Sequence, residues 1–432
     1  MLVSDARIRR IDALTNGSIS TYAINAASGL IGDGGAPTSA GGRPAGPVFR
    51  TSDAAYFASQ SSTTVLVRKV AGSPAVVTTV LGQLDAVGDG PAVSGELSTP
   101  HALLTLAANQ WLIADGYRGR LRIYDEVAER TRSVVGYRLG APNASPLGQN
   151  ARWTELLDNP FAMAYDAARS RLLVAEEASG GIRLIAVGAD PATWTIDRAN
   201  TSFAQGYADG SLATALFDHP SGLAMDVQRD CVWVADTENH VIRRIDLTSN
   251  TVSTVGGQVH YRGYVGDEGP VSLAFFDAPR GIAVSPLDHS LYIADTGNNR
   301  VRRVAVNAAG DLDGTSIIRN VFGDGSESTS GSGAPARAYA AGGALGLAFD
   351  GYGDLLVTTT SSVRVIAPGD DGVVDGDDAV VTIYGAAPRD GFPESVTGCL
   401  TGLAARPGDA SIYVLDACVG YLVRLDRRTK SN

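Results

Sequence analysis

The 432-residue chain carries 35 Lys and Arg against 46 Asp and Glu, a formal net charge of −11, with 51 Gly and only 3 Met and 3 Cys. That balance argues against a nucleic-acid partner, because a phosphate-binding surface needs clustered cations that release counterions. No run of about 18 apolar residues exists to span a membrane as a helix, and Met1 is followed at once by LVSD rather than by an apolar leader.

The expected elements are short strands rich in apolar and β-branched residues, separated by Asp, Asn, Gly and Ser. Ends of successive second strands fall at Asp5, Ser59, Asp115, Glu176, Asp236, Asp295, Thr359 and Asp416, at intervals from 54 (Asp5 to Ser59) to 64 (Asp295 to Thr359). First strands precede seven of these marks: GPVFR, HALLTL, FAMAYD, SGLAMD, GIAVS, LGLAFD and LTGLAA. A four-stranded unit repeated at this period implies a radial array of small antiparallel sheets, since one unit cannot bury its faces alone. The fold expected is therefore all-β: residues 1–432 form one β-propeller of seven blades, with eight or six as alternatives. The C-terminal unit stops after YLVRLDR, one strand short, and SISTYA at Ser18–Ala23 has the character of the missing outer strand. The two ends are expected to share that blade and close the ring. Leu2–Asp12 is then surplus, which sets residues 1–12 outside the ring or implies an eighth blade, and the chain reads as a monomeric domain of a longer protein.

The best-defined units are FDHPSGLAMDVQRDCVWVADTENHVIRRI from Phe217 and FDAPRGIAVSPLDHSLYIADTGNNRVRRV from Phe276. Their order of P-x-G-[IL]-A-[MV] followed by [VI]-A-D-T-x-N-x-x-[IV]-R-R resembles the NHL repeat, and GDGGAPTSA at Gly32–Ala40 resembles a linker common in that family. The resemblance implies a β-propeller that usually binds rather than catalyses, although a few relatives are metal-dependent enzymes.

Connections from one unit to the next are long, such as 258–279, whereas those between first and second strands are short. Recognition is expected on the long-loop face and at the mouth of the central channel. His101 and His219 stand at the entries to first strands, and His260 lies in the long loop GGQVHYRGYVGDEGP with Tyr261, Arg262 and Tyr264. Tyrosine and arginine give large contact area and directed hydrogen bonds, so these six residues are the candidate ligand contacts. The expected partner is a protein, peptide or glycan bound without catalysis; the alternative is a metal-dependent lyase or hydrolase at the channel mouth. Zinc catalysis wants three protein ligands plus water, with only His101 and His219 well placed. The acidic turns GDDGVVDGDDAV and GDLDGTS lack the spacing of a calcium loop, and no cofactor is expected.

Asp115, Asp236, Asp295 and Asp416 recur before the third strand and read as structural acceptors for turn amides. The paired arginines Arg9/Arg10, Arg243/Arg244 and Arg302/Arg303 read as ion-pair partners of neighbouring blades. If Arg406 pairs with Ser411 across the last hairpin, the same register sets Cys399 opposite Cys418, within disulfide reach. Such a bridge implies an extracellular, cell-surface or lumenal location. Cys231, opening a second strand, reads as a small buried hydrophobe.

Overall fold

The computed structural model describes side chains across 97–136, 157–196, 204–326, 335–359, 362–381, 400–405 and 412–415, short gaps apart, and further strands by backbone alone. Five antiparallel blades are each built on four strands, and Gly90–Pro91 and Gly210–Ser211 add a short fifth strand to the first and third. Blade I comprises Pro100–Ala107, Gln110–Asp115, Arg120–Asp125 and Arg130–Val135. Blade II comprises Pro160–Asp166, Arg171–Glu176, Gly181–Ala186 and Thr195–Arg198. Blade III comprises Pro220–Asp226, Cys231–Asp236, Val241–Asp246 and Thr251–Gly257. Blade IV comprises Pro279–Val284, Leu291–Asp295, Arg300–Val304 and Ile318–Phe322. Blade V comprises Ala344–Phe349, Leu355–Thr359, Ser362–Ile366 and Val380–Gly385. A three-stranded sheet of Leu400–Ala405, Ser411–Asp416 and Tyr421–Asp426 follows. Among the described residues no α-helix is present, and none is long and apolar enough to cross a membrane.

The pleat explains the packing. Successive side chains of a strand point to opposite faces. In Cys231–Asp236, Val232 and Val234 join a core shared with blade II, while Cys231, Trp233 and Ala235 join a core shared with blade IV. Leu291 and Ile293 complete that same core, and Tyr292 and Ala294 face blade V instead. A second strand is thus buried on both faces, which is why its sequence is a continuous apolar run rather than an alternation. Burial pushes the Cys231 thiol up to about 12, in keeping with a packed, unreactive group.

First strands lie side by side in chain order from Pro100–Ala107 to Leu400–Ala405. Glycine permits this approach. A Cβ on Gly222 would strike the carbonyl of Arg280, on Gly281 that of Leu345, and on Gly346 it would lie 2.9 Å from the carbonyl of Thr401. Hydroxyls bind the same seams: Thr237 Oγ1 donates to the Pro279 carbonyl at 2.8 Å and Thr296 Oγ1 to that of Ala344 at 2.7 Å.

Two expectations are corrected. The seven-bladed count is not met, because the place beside Pro100–Ala107 is held by Leu400–Ala405 rather than by an N-terminal blade. Thr401 Oγ1 donates to the Pro100 carbonyl at 2.6 Å, and Leu103, Trp111, Ala404 and Tyr413 share one core. Nor does Ser18–Ala23 complete the C-terminal sheet. It pairs with Ile8–Asp12, which pairs with Leu2–Ser4 in a separate three-stranded sheet. The short connection at 13–17 makes that hairpin far easier to close than a pairing across the whole chain. A further four-stranded sheet, Arg43–Arg50, Ala54–Gln60, Val65–Ala71 and Val76–Leu81, is described by backbone alone.

Candidate functional site at the entry to the first strands

The repeated aspartates are structural, through a wider network than their own turns. Asp236 accepts from the Asp218 amide, the Asn239 side chain and Arg243, the last at 2.7 Å. Asp295 accepts in the same way from the Asp277 amide, Asn298 and Arg302. Burial pushes both carboxyls up, to about 6, against the opposing pull of the arginines. The side chain of Asp416 lies outside the described residues.

The expectation for the paired arginines holds for Arg244, which lies 3.8 Å from Asp311 of blade IV, and is corrected for the other described ones. Arg243 and Arg302 pair with Asp236 and Asp295 of their own blades, not with neighbouring blades. Each also reaches the loop that leads into its blade. Arg302 donates to Asp267 at 2.7 Å and to the carbonyls of Phe275 and Val265, and Arg243 grips Asp209, Ala208 and Leu216 likewise. Arg303 binds Asp288, again within blade IV. Arg9 and Arg10 have no described side chains.

The loop joining blades III and IV is thereby fixed to the scaffold. Val265 bridges Phe275 and Arg262 bridges Phe276, and Tyr261 stacks on Phe275 at 6.1 Å between ring centres. Tyr264 bonds Asp267 through its hydroxyl and receives the Arg300 guanidinium over its ring at 4.1 Å. Burial and that carboxylate push its phenol up to about 12. His260, Arg262 and Tyr264 are exposed, and Tyr261, Val265 and Leu273 stand 66%, 56% and 63% exposed beside them.

The histidines are separately engaged. His219 has its Nδ1 2.7 Å from Asp218 Oδ1 and its Nε2 3.2 Å from Gln205 Nε2. His101 stacks on Phe161 of blade II, ring centres 4.3 Å apart, and bonds Asn159, whose amide donates to Glu177 at 2.7 Å. Its Nδ1 is buried without a partner, so Nε2 is the donor to Asn159. Burial holds His101 down at about 4. Among the described residues no three metal-ligating side chains converge.

A ring of side chains at this same entry is organised by a β-bulge. Pro220 pairs with Asp236 but Gly222 with Ala235, leaving Ser221 out of the ladder. Phe161 and His101 are left out in the same way. Arg280, Leu345 and Thr401 occupy the corresponding breaks in the next three sheets. A bulge re-aims the extra residue. The Arg280 guanidinium of blade IV sits 5.6 Å from the ring centre of Phe161 in blade II. Phe161 and Arg280 were not among the sequence candidates, although both occupy the position of His101 in a P-x-[GA] series.

Cys399 and Cys418 lie outside the described residues. Ala405 pairs with Ile412 in the expected register, but a bulge between Leu400 and Leu403 then pairs Leu400 with Asp416, one residue short of it.

Comparison with known proteins agrees with this architecture. The NHL repeat family model matches residues 217–245. SUPPRESSOR OF QUENCHING 1, a chloroplastic protein of Arabidopsis thaliana, is 34% identical over 127 residues, 28% of this chain. Human NHL repeat-containing protein 2 is 29% identical over 149 residues, 34% of this chain. These matches span 11% and 19% of the relatives' own lengths. Among solved structures, an auxiliary nutrient binding protein from Bacteroides ovatus aligns with a TM-score of 0.54 at 14% identity over 88% of both chains. A Bacteroides thetaiotaomicron protein of unknown function aligns at 0.53 and 11% identity, over 88% of this chain and 89% of its own. At such identities the likeness concerns the fold alone. With its antiparallel blades the chain has a β-propeller fold, and its residues 217–245 form an NHL repeat.

Proposed function

We propose that this propeller is a non-catalytic binding module whose partner is a protein or peptide, held on the loop-rich face, and that its ring closes as six blades through the sheet at 400–426. The observation that carries the binding role is the 258–276 loop. Arg302 anchors it from below while Tyr261, Val265 and Leu273 remain exposed above. A rigid aromatic and aliphatic surface with an adjacent arginine loses little entropy on docking and suits a protein or peptide better than a glycan. The engagement of His101 with Phe161 and Asn159, and of His219 with Asp218 and Gln205, supports binding over metal-dependent lyase or hydrolase chemistry.

The test is affinity capture on the full chain, comparing wild type with a Tyr261→Ser, Leu273→Ser double variant of unchanged melting temperature. Proteins held by wild type and lost by the variant are expected. An identical captured set would overturn the assignment of this face, and capture of glycans alone on a glycan array would replace the partner class.

A further inference from the structure

We propose that the axial entry of the propeller is a second binding site, distinct from the exposed loop, in which Arg280 holds the carboxylate of a small organic anion against an apolar wall formed by Phe161 and Leu345.

The arginines of this fold set the contrast. Arg243, Arg302 and Arg183 are buried and each meets a carboxylate of its own blade, and even the more exposed Arg169 and Arg319 form ion pairs. Arg280 is half-buried at the start of its first strand, and its guanidinium lies over the face of Phe161. No described carboxylate lies within ion-pair distance of it. A partly desolvated guanidinium costs free energy unless its planar fork is met by an acceptor, and a carboxylate meets it with two parallel hydrogen bonds. Low-dielectric walls concentrate that unneutralised charge towards the opening.

The surroundings restrict the ligand. Phe161 is braced on one side by the His101 ring, and Leu345 stands in the next blade beside Arg280. The hydroxyl protons of this ring are already committed. Thr401 donates to the Pro100 carbonyl, and Ser221 bonds Thr237, whose own proton goes to the Pro279 carbonyl. Arg280 is therefore the donor that the entry offers to an anion. One fork beside two apolar side chains fits a singly charged carboxylate with an apolar substituent, either a free organic acid or the C-terminus of a peptide. A phosphate dianion would leave a charge unmatched.

The experiment is calorimetric titration of the full chain with benzoate, and with benzamide as the uncharged control. Benzoate is expected to bind with a Kd of about 1 mM and benzamide not to bind. Arg280→Gln is expected to weaken benzoate by at least about tenfold, the loss of a charge-assisted hydrogen bond. Arg280→Lys keeps the charge without the fork and is expected to weaken it by about threefold or more. A tetrapeptide ending in Phe, with free and with amidated C-terminus, separates the two sources. Tighter binding of the free-acid peptide than of benzoate assigns a chain terminus, and the reverse assigns a small acid. Absence of benzoate binding at about 20 mM, equal binding of benzamide, or unchanged affinity in Arg280→Gln and Arg280→Lys overturns the proposal. Tyr261→Ser, Leu273→Ser is expected to bind benzoate as wild type does, so the axial site and the loop face stand or fall separately.

Discussion

A methyl group on Gly281 would collide with the carbonyl oxygen of Leu345 in the next blade, and would also lie 3.0 Å from the Gly346 Cα. Both obstacles are backbone atoms of a packed first strand and have no rotamer to yield. Gly281→Ala is therefore expected to destabilise the protein by about 3 kcal/mol through overpacking. A urea titration should show a lower midpoint at unchanged slope, and a midpoint equal to wild type would mean that the first strands are not so closely apposed.

Arg243 and Asp236 form a fully buried pair, 2.7 Å between Nη1 and Oδ2. Removing the acid alone leaves the buried Arg243 guanidinium with the half-exposed Asp209 as its remaining carboxylate. Asp236→Ala is expected to cost about 3–5 kcal/mol, and the double variant Asp236→Ala, Arg243→Met less than the single acid deletion. Denaturation of the four proteins of this cycle supplies the comparison. A double variant worse than Asp236→Ala by the full cost of a second deletion would show that the two side chains act independently.

His101 supplies a pH dependence. Its folded value, about 4, lies below the ordinary 6.5 because burial disfavours the cation. The unfolded chain then takes up more protons between those values. The stabilisation is complete above about pH 6.5 and is lost as pH falls towards 4, by about 3 kcal/mol in all. Urea midpoints at pH 7 and pH 4.5 should fall more steeply for wild type than for His101→Asn. Parallel profiles would contradict the burial of an uncharged ring.

The cysteine pair remains a proposal with a direct assay. Intact mass after alkylation without reductant is expected to show one labelled thiol, Cys231, if Cys399 and Cys418 are bridged. Three labelled thiols would remove both the bridge and the oxidising compartment inferred from it.

Much of the fold was legible because burial on both faces writes itself into a second strand. CVWVAD and LYIAD could be aligned by eye, and their aspartates mark the observed strand ends at Asp236 and Asp295. The joining of the chain ends was not legible. SISTYA has the character of any outer strand, and nothing in its composition distinguishes a nearby partner from a distant one. At the axis the obstacle was the bulge. Residue alternation says where a side chain points only while the ladder is regular, and Phe161 is displaced at the position where the ladder breaks. A histidine such as His101 carries metal chemistry in its residue type, whereas the sequence shows no sign that Arg280 crosses to Phe161. The arginine of each third strand misled for a related reason, since its partner lies seven residues earlier, on the adjacent strand.

The hydrogen bond from Thr401 to Pro100 joins residues 301 positions apart. Bringing such distant segments together costs the chain about 5 kcal/mol of entropy, which only the finished seam repays. During synthesis the flank of blade I that carries Leu103 and Trp111 has no cover until the ribosome has released residue 401 and its neighbours. Truncation before that point should leave Leu103 and Trp111 bare, an apolar flank of the kind that chaperones bind.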